Sequence, residues 1–392
     1  MSNQDLTKRY DAVMMHAFGT PKVAFVRGEG IHLTDADGRT YVDLLSGIAV
    51  NALGHNHPRV TEAIASQLHT LGHVSNLFAT EGQVRLAERL AAAAADDGSA
   101  RVFFANSGAE ANEAAFKLTR LTGRKRIVAM EGSFHGRTIG SLAITHTEKY
   151  RAPFEPLPGD VVFVPYGDEA ALAAAVDDQT AAVVLEVIQG ESGVLPAPDG
   201  FLAAARRITT EHGALLWVDE VQTGIGRCGE LLVHRADGVT ADVVTVAKGL
   251  GNGFPIGACI ATGAAAGLLT PGLHGSTFGG NAVAAAAANA VLDELEAGVM
   301  ANAREVGDWF AAAVESLGHP AVSHVRGRGL LRGVVLTEDI APGVVEAGLS
   351  AGWVLNAPRP NVLRVAPPLI ITKDELAGFV EALPGLLETA RG

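Results

Sequence analysis

Cysteine is scarce: Cys228 and Cys259 are the only two in 392 residues. So few thiols argue against a disulfide framework and fit a reducing, cytoplasmic setting. Positive charge is also short. A formal net charge of −13 argues against nucleic acid or an anionic membrane as partner, and leaves any anionic substrate to local arginines. Although 48% of residues are hydrophobic, no apolar run is long enough to span a bilayer. The weakly polar stretch Asn281 to Leu292 is short, alanine-dominated and followed by Asp293-Glu-Leu-Glu296. The opening residues Met1 to Tyr10 show neither an apolar signal segment nor an Arg/Ser-rich transit pattern. Also missing are H-E-x-x-H, any His- or Cys-rich cluster for a metal, and the G-x-G-x-x-G dinucleotide fingerprint. No internal repeat or low-complexity tail occurs.

Lysine is rare as well, with seven in the chain, and one of them is conspicuous. Lys248 follows the apolar run Val243 to Ala247 and precedes Gly-Leu-Gly-Asn-Gly253. Such a run reads as a fully buried strand, with Lys248 at its carboxyl end. Ligands collect there in open α/β sheets, and a lysine held out of bulk water becomes a nucleophilic amine able to form a Schiff base. Alone, the plainer reading of a surface lysine would win. Four further apolar runs, however, end in chemically useful residues. Arg101 to Ala105 leads into Asn106-Ser107-Gly108-Ala109, and Lys125 to Met130 into Glu131-Gly-Ser-Phe134-His135-Gly-Arg137. Ala181 to Leu185 leads into Glu186-Val-Ile-Gln189-Gly-Glu191, and Ala214 to Val218 into Asp219-Glu-Val221-Gln222. Continuous apolar strands alternating with helices predict a mostly parallel sheet covered on both faces. Five loaded strand ends describe one site on one rim.

At this length roughly two to three domains are expected. Residues 1–50 read as an amino-terminal segment with a small antiparallel ribbon from Val23 to Leu45. Residues 51–280 read as a large domain, and 281–392 as a smaller α+β domain with helices near 281–292, 303–317 and 374–389.

Ser107-Gly108-Ala109 opens a helix, a setting that suits either a phosphate or an ordinary cap. Asp219 suits a metal, a cap or a protonated ring nitrogen. A phosphate cradle, a buried lysine and a strand-end aspartate together suit pyridoxal 5′-phosphate. At this point the chain resembles the class III aminotransferases of the fold-type I pyridoxal-phosphate enzymes. The resemblance lies in Asn106-Ser-Gly-Ala-Glu-Ala-Asn-Glu113, Phe134-His-Gly-Arg-Thr138, Asp219-Glu-Val-Gln-Thr-Gly224, Ala247-Lys-Gly-Leu250, Gly275-Ser-Thr-Phe-Gly-Gly-Asn281 and Leu363-Arg-Val-Ala-Pro-Pro-Leu369. The length and Gly47 to His55 are most similar to the branch that acts on N2-acetylornithine in arginine biosynthesis.

The resemblance implies a role for each matching residue. Lys248 carries the Schiff base and shuttles the proton, and Asp219 pairs with the ring nitrogen. Gln222 contacts the ring hydroxyl, while Phe134 and Val221 cover the two ring faces. Ser107, Gly108 and Ala109 hold the phosphate. Thr277 reaches the phosphate of a second copy, which implies a homodimer. Arg364 takes the α-carboxylate of glutamate or 2-oxoglutarate, and Arg137 takes the other carboxylate and that of the acetylated donor. Glu191 pairs with Arg364 until 2-oxoglutarate arrives. Departures from the family pattern also carry expectations. Val187 stands where proline is usual and predicts a looser loop around Gln189 and Glu191. Ser192 replaces a glycine or alanine. Phe18 and Gly47 stand where ornithine aminotransferases carry tyrosines, which predicts poor use of free ornithine. Competing readings are N-succinyl-diaminopimelate or another ω-amine as donor, an aminomutase, and a binding protein without chemistry. Intact Glu191, Arg364, Lys248 and Asp219 argue against the last two.

Overall fold

The computed structural model describes all residues from Met1 to Gly392. At its centre is a seven-stranded sheet: β1 (Arg101–Ala105), β2 (Arg126–Met130), β3 (Asp160–Val164), β4 (Thr180–Glu186), β5 (Leu215–Asp219), β6 (Val243–Val246) and β7 (Gly257–Ala261). Their spatial order is β1-β7-β6-β5-β4-β2-β3. Every pairing is parallel except those of β7, which runs antiparallel to both neighbours. The five expected strands are all present, and β3 and β7 add to them. A mostly parallel α/β sheet is therefore the architecture, as expected.

Strand burial explains the uninterrupted apolar runs. All seven residues of β4 and all five of β7 are buried. Alternate residues serve opposite faces. Ile127, Val184, Trp217 and Val243 pack with Ala114, Phe116 and Leu118 of the helix Gly108–Arg120. Val128, Val183, Leu216 and Val244 face the larger core, which includes Leu202 and Ile208 of the helix Phe201–His212. Trp217 is wholly buried, and its truncation to alanine costs about 3–5 kcal/mol in such a position.

The other elements close around the carboxyl rim. The ribbon Phe25–Glu29, His32–Asp35 and Thr40–Asp43 is antiparallel, as expected. A short strand, Trp353–Val354, extends it by pairing in parallel with Thr40–Asp43. Ser46 strengthens this junction: its hydroxyl donates to Ala366 O at 2.6 Å and accepts from Arg227 at 3.2 Å. The carboxyl-terminal sheet runs in the order Val322–Arg328, Leu331–Leu336, Val362–Val365, Asn356–Arg359. It is covered by Met300–Ser316 and Ala341–Ala351, against which Lys373–Arg391 packs. The helix Ala282–Glu294 packs on Pro58–Thr70, Glu81–Ala94 and the turn at Lys248. Although expected to open the small domain, it makes these contacts with elements of the central part. No helix is long and apolar enough to cross a membrane.

Candidate active site

Strands β1, β2, β4, β5 and β6 deliver their carboxyl ends to one cavity of about 290 Å³. Gly108, Ala109, Phe134, Arg137, Glu191, Asp219, Val221, Gln222 and Lys248 line it, together with Asn112, His135, Gly136 and Glu186. Three expected residues are not in this lining: Arg364 reaches it through Glu191 and Gln222, and Ser107 and Thr277 are placed differently. The Ser107 hydroxyl caps the helix it opens, accepting from the amide of Glu110 at 3.1 Å. Thr277 lies exposed in a separate depression with His73, Ser75, Asn76 and Ser276. Phe18, 93% exposed, and Gly47 do not line the cavity either.

Lys248 is the second residue after β6 and takes φ of 39°. A side chain in the left-handed region is uncommon and is held there by its surroundings. Burial pushes the Lys248 amine below its ordinary value and the Arg364 charge adds to this, while Asp219, Glu191 and Glu186 draw it back up. Asp219 ends β5 and is 3% exposed. One oxygen accepts from the Val221 amide at 2.9 Å. The other accepts from Asn112 Nδ2 at 2.8 Å and His135 Nδ1 at 2.7 Å. Burial opposes charge on His135, but the hydrogen bond and the charges of Asp219 and Glu186 win and hold it above its ordinary value.

The cradle beneath is a consequence of missing side chains. A Cβ at Gly108 would fall 2.7 Å from Val221 Cγ1, and one at Gly136 would fall 2.8 Å from Ala109 Cβ. Glycine therefore lets the start of the helix and the adjoining loop approach each other. At the mouth, the Arg137 guanidinium lies 3.4 Å from the Tyr150 ring centroid, a cation–π contact, with the Phe134 ring at 5.7 Å. Arg364, on the strand Val362–Val365, is 1% exposed rather than on a surface. Its Nη1 bonds Glu191 Oε1 at 2.6 Å, and Nε and Nη2 bond Asn356 Oδ1 at 3.1 and 2.7 Å. Gln222 Oε1 accepts from it at 3.3 Å. A buried guanidinium demands this degree of satisfaction.

The loop expected to be loosened by Val187 is pinned. Tyr166 donates its hydroxyl to Glu186 O at 2.7 Å and Val187 O at 2.9 Å, and the Ala197 amide donates to Val187 O at 3.0 Å. Val187 itself is 3% exposed. Backbone acceptors and burial replace the constraint a proline ring would supply.

Sequence reasoning assigned no role to Glu186, Asn112 or His135. Glu186 accepts from the Phe134 amide at 3.0 Å. Burial and the Asp219 charge push it up to about 7, against the pull of His135, the Phe134 amide and Lys248. Its value in the fold thus exceeds the unfolded value of 4.5, so the folded protein binds this proton more tightly. The resulting stability is complete below the unfolded value and is lost as pH rises towards about 7. In E186Q the loss disappears. The melting temperature of the cofactor-free variant should gain a few degrees on wild type between pH 5 and pH 8. A pH-independent difference would contradict the raised value.

A basic amine facing a strand-end carboxylate, over a glycine-opened helix start, fits pyridoxal 5′-phosphate and defines a fold-type I pyridoxal-phosphate transferase. The chain belongs to the class-III aminotransferases, whose family pattern matches residues 14–387. These enzymes work with pyridoxal 5′-phosphate, and so does this one. The acetylornithine aminotransferase of Mycolicibacterium smegmatis is 59% identical over 386 residues, covering 98% of each chain. Among solved structures, the N-acetylornithine aminotransferase of Stenotrophomonas maltophilia aligns with TM-score 0.82 and 36% identity over 95% of this chain and 97% of that one. The ornithine aminotransferase of Toxoplasma gondii aligns with TM-score 0.93 and 30% identity over 100% of this chain and 96% of that one. Backbone likeness alone does not separate the two donors.

Proposed function

We propose that the chain transfers the δ-amino group of N2-acetyl-L-ornithine to 2-oxoglutarate, giving N-acetyl-L-glutamate 5-semialdehyde and L-glutamate, in arginine biosynthesis. The observation that carries the reading is the pair of arginines at the cavity. Arg364 is buried and guarded by Glu191, whereas Arg137 meets only aromatic rings. A ping-pong transaminase with an ω-amino donor and a dicarboxylate acceptor needs one cation always available and a second available only on one half-cycle. The full-length relative at 59% identity, an acetylornithine aminotransferase, supports the donor.

When bound, pyridoxal phosphate supplies the electron sink that makes the C–H bond beside the reacting nitrogen acidic. Lys248 would hold the cofactor covalently at rest and then move that proton, burial disfavouring the charged form of its amine. Asp219, oriented by Asn112 and His135, would pair with the ring nitrogen. The amides of Gly108 and Ala109, with Ser107, would hold the phosphate at the helix start. Phe134 and Val221 would enclose the ring, and Gln222 would contact its hydroxyl. Arg137 binds the α-carboxylate of the acetylated donor and the distal carboxylate of the acceptor. Arg364 binds the acceptor α-carboxylate once Glu191 withdraws, through a fork an ammonium cannot reproduce. Thr277 completes the phosphate site of a second copy in a homodimer. The exposed Leu77 (85%), Phe78 (65%) and Phe278 (60%) beside it support that assembly.

The test mixes the cofactor-loaded enzyme, without keto acid, with N2-acetylornithine, N-succinyl-diaminopimelate, ornithine and 4-aminobutyrate in turn. Bleaching of the cofactor's visible band reports each half-reaction. N2-acetylornithine should exceed ornithine and 4-aminobutyrate by roughly tenfold or more in efficiency. Parity with ornithine would sink the donor assignment. Parity with succinyl-diaminopimelate would move the enzyme towards a lysine-pathway or dual role.

A further inference from the structure

Glu191 sits in a tight segment, Gln189 to Val194, folded against the turn Glu131–Gly132. Two side chains staple segment to turn: Gln189 Nε2 donates to Glu131 O at 2.8 Å, and Ser192 Oγ donates to Gly132 O at 2.9 Å. Gly132 takes φ of 78°, and a Cβ there would lie 2.3 Å from Ser192 Oγ, so this approach requires glycine. On the other side, Arg359 Nη2 donates to Ser192 Oγ at 3.1 Å, and Arg326 Nη2 donates to Gly193 O at 2.8 Å. Val194, a β-branched residue, is held at φ of 56°. Such a conformation persists only where the surroundings over-determine it.

The Ser192 hydroxyl therefore uses its donor on the large part of the molecule and an acceptor position on the carboxyl-terminal sheet. Arg359 ends the strand Asn356–Arg359, which pairs with the strand carrying Arg364. The same two strands that present Arg364 thus also hold the neighbour of its counter-ion. A dicarboxylate reaches Arg364 only when Glu191 leaves, and displacing this segment strains or breaks both Ser192 bonds.

We infer that Ser192 is a positioning residue: a latch that keeps Glu191 on Arg364 and sets how readily a dicarboxylate displaces it. The inference rests on Arg364 being the acceptor site. Its consequence is a bias of the resting enzyme towards the amine donor. The apparent affinity for a ligand that binds only the open state is reduced by the fraction of enzyme in that state. Two modest hydrogen bonds shift that fraction by roughly three- to tenfold.

Glutarate, a dicarboxylate with no keto group to react, is the probe, titrated calorimetrically into the holoenzyme. In S192A its Kd should fall roughly three- to tenfold, while kcat/KM for the amine donor does not rise. S192T, which keeps the hydroxyl, should return both towards wild type. R359A should shift glutarate in the same direction by less. In an E191A background S192A should no longer alter glutarate binding, because there is no counter-ion left to latch. Unchanged or weaker glutarate binding in S192A refutes the latch. So does an S192A effect that persists without Glu191, which would mark a general structural role. Equal glutarate binding by R364A and wild type would remove the acceptor-site reading, and the latch with it. Failure of N2-acetylornithine to react would sink only the donor assignment and leave the glutarate comparison standing.

Discussion

Replacing Lys248 with alanine should lower turnover with every amine donor by on the order of 10⁴-fold or more, while leaving a folded protein. The side chain serves two purposes in the proposed reaction, covalent attachment and proton movement, and no neighbour in the cavity can supply either. Asp219 is occupied by three donors, Glu186 is engaged by the Phe134 amide, and Arg364 is paired with Glu191 and Arg137 with the Tyr150 ring. Stability should not suffer. Alanine at φ of 39° is no more strained than lysine, and the variant removes an amine whose charge burial disfavours. Thermal unfolding of the cofactor-free protein should therefore match or exceed wild type, and a small added alkylamine should restore part of the proton transfer. Activity within tenfold of wild type would take Lys248 out of the chemistry.

For Arg364→Ala the expected result is asymmetry. The half-reaction with glutamate should lose about 10²–10³-fold in kcat/KM, the loss associated with deleting one member of a buried charge pair. The amine-donor half-reaction should lose far less, since Arg137 carries that carboxylate. Lysine at 364 should recover little, because Asn356 accepts from Nε and Nη2 while Nη1 faces Glu191 and Gln222. One ammonium cannot serve those directions at once. Equal losses on both halves would mean that Arg364 supports the cavity wall rather than the acceptor.

Much of the site was legible in the chain because parallel sheets advertise themselves. Buried strands are apolar throughout, so the first polar residue after each marks its carboxyl end, and Asp219, Glu186 and Lys248 all stand there. What could not be read was direction and partnership. The run Gly257–Ala261 is as apolar as its neighbours, yet it enters the sheet antiparallel. Strand polarity is set by the connection and by packing rather than by the pattern of the strand itself. Gly257 had a reason that only the fold reveals, since a Cβ there would lie 2.4 Å from Ser107 O. The clamp of Asn112 and His135 on Asp219 joins residues 107 and 84 positions apart, and no local spacing encodes it. Likewise Val187 looked like a loss of constraint until Tyr166 appeared beneath it.

The junction between the first ribbon and the last sheet has a consequence during synthesis. Ser46 and Ala366, bonded in the native state, are 320 positions apart, and Val42, paired on one side with His32, finds its partner on the other only at Trp353. As the polypeptide leaves the ribosome, its opening strands must wait for nearly the whole chain before their native edge is covered. Contacts of such high sequence separation are slow to form, and unpaired edges are where nascent chains stray into aggregation. The widest pairing in the central sheet, Arg101 with Ala261, spans half the separation of Ser46 from Ala366.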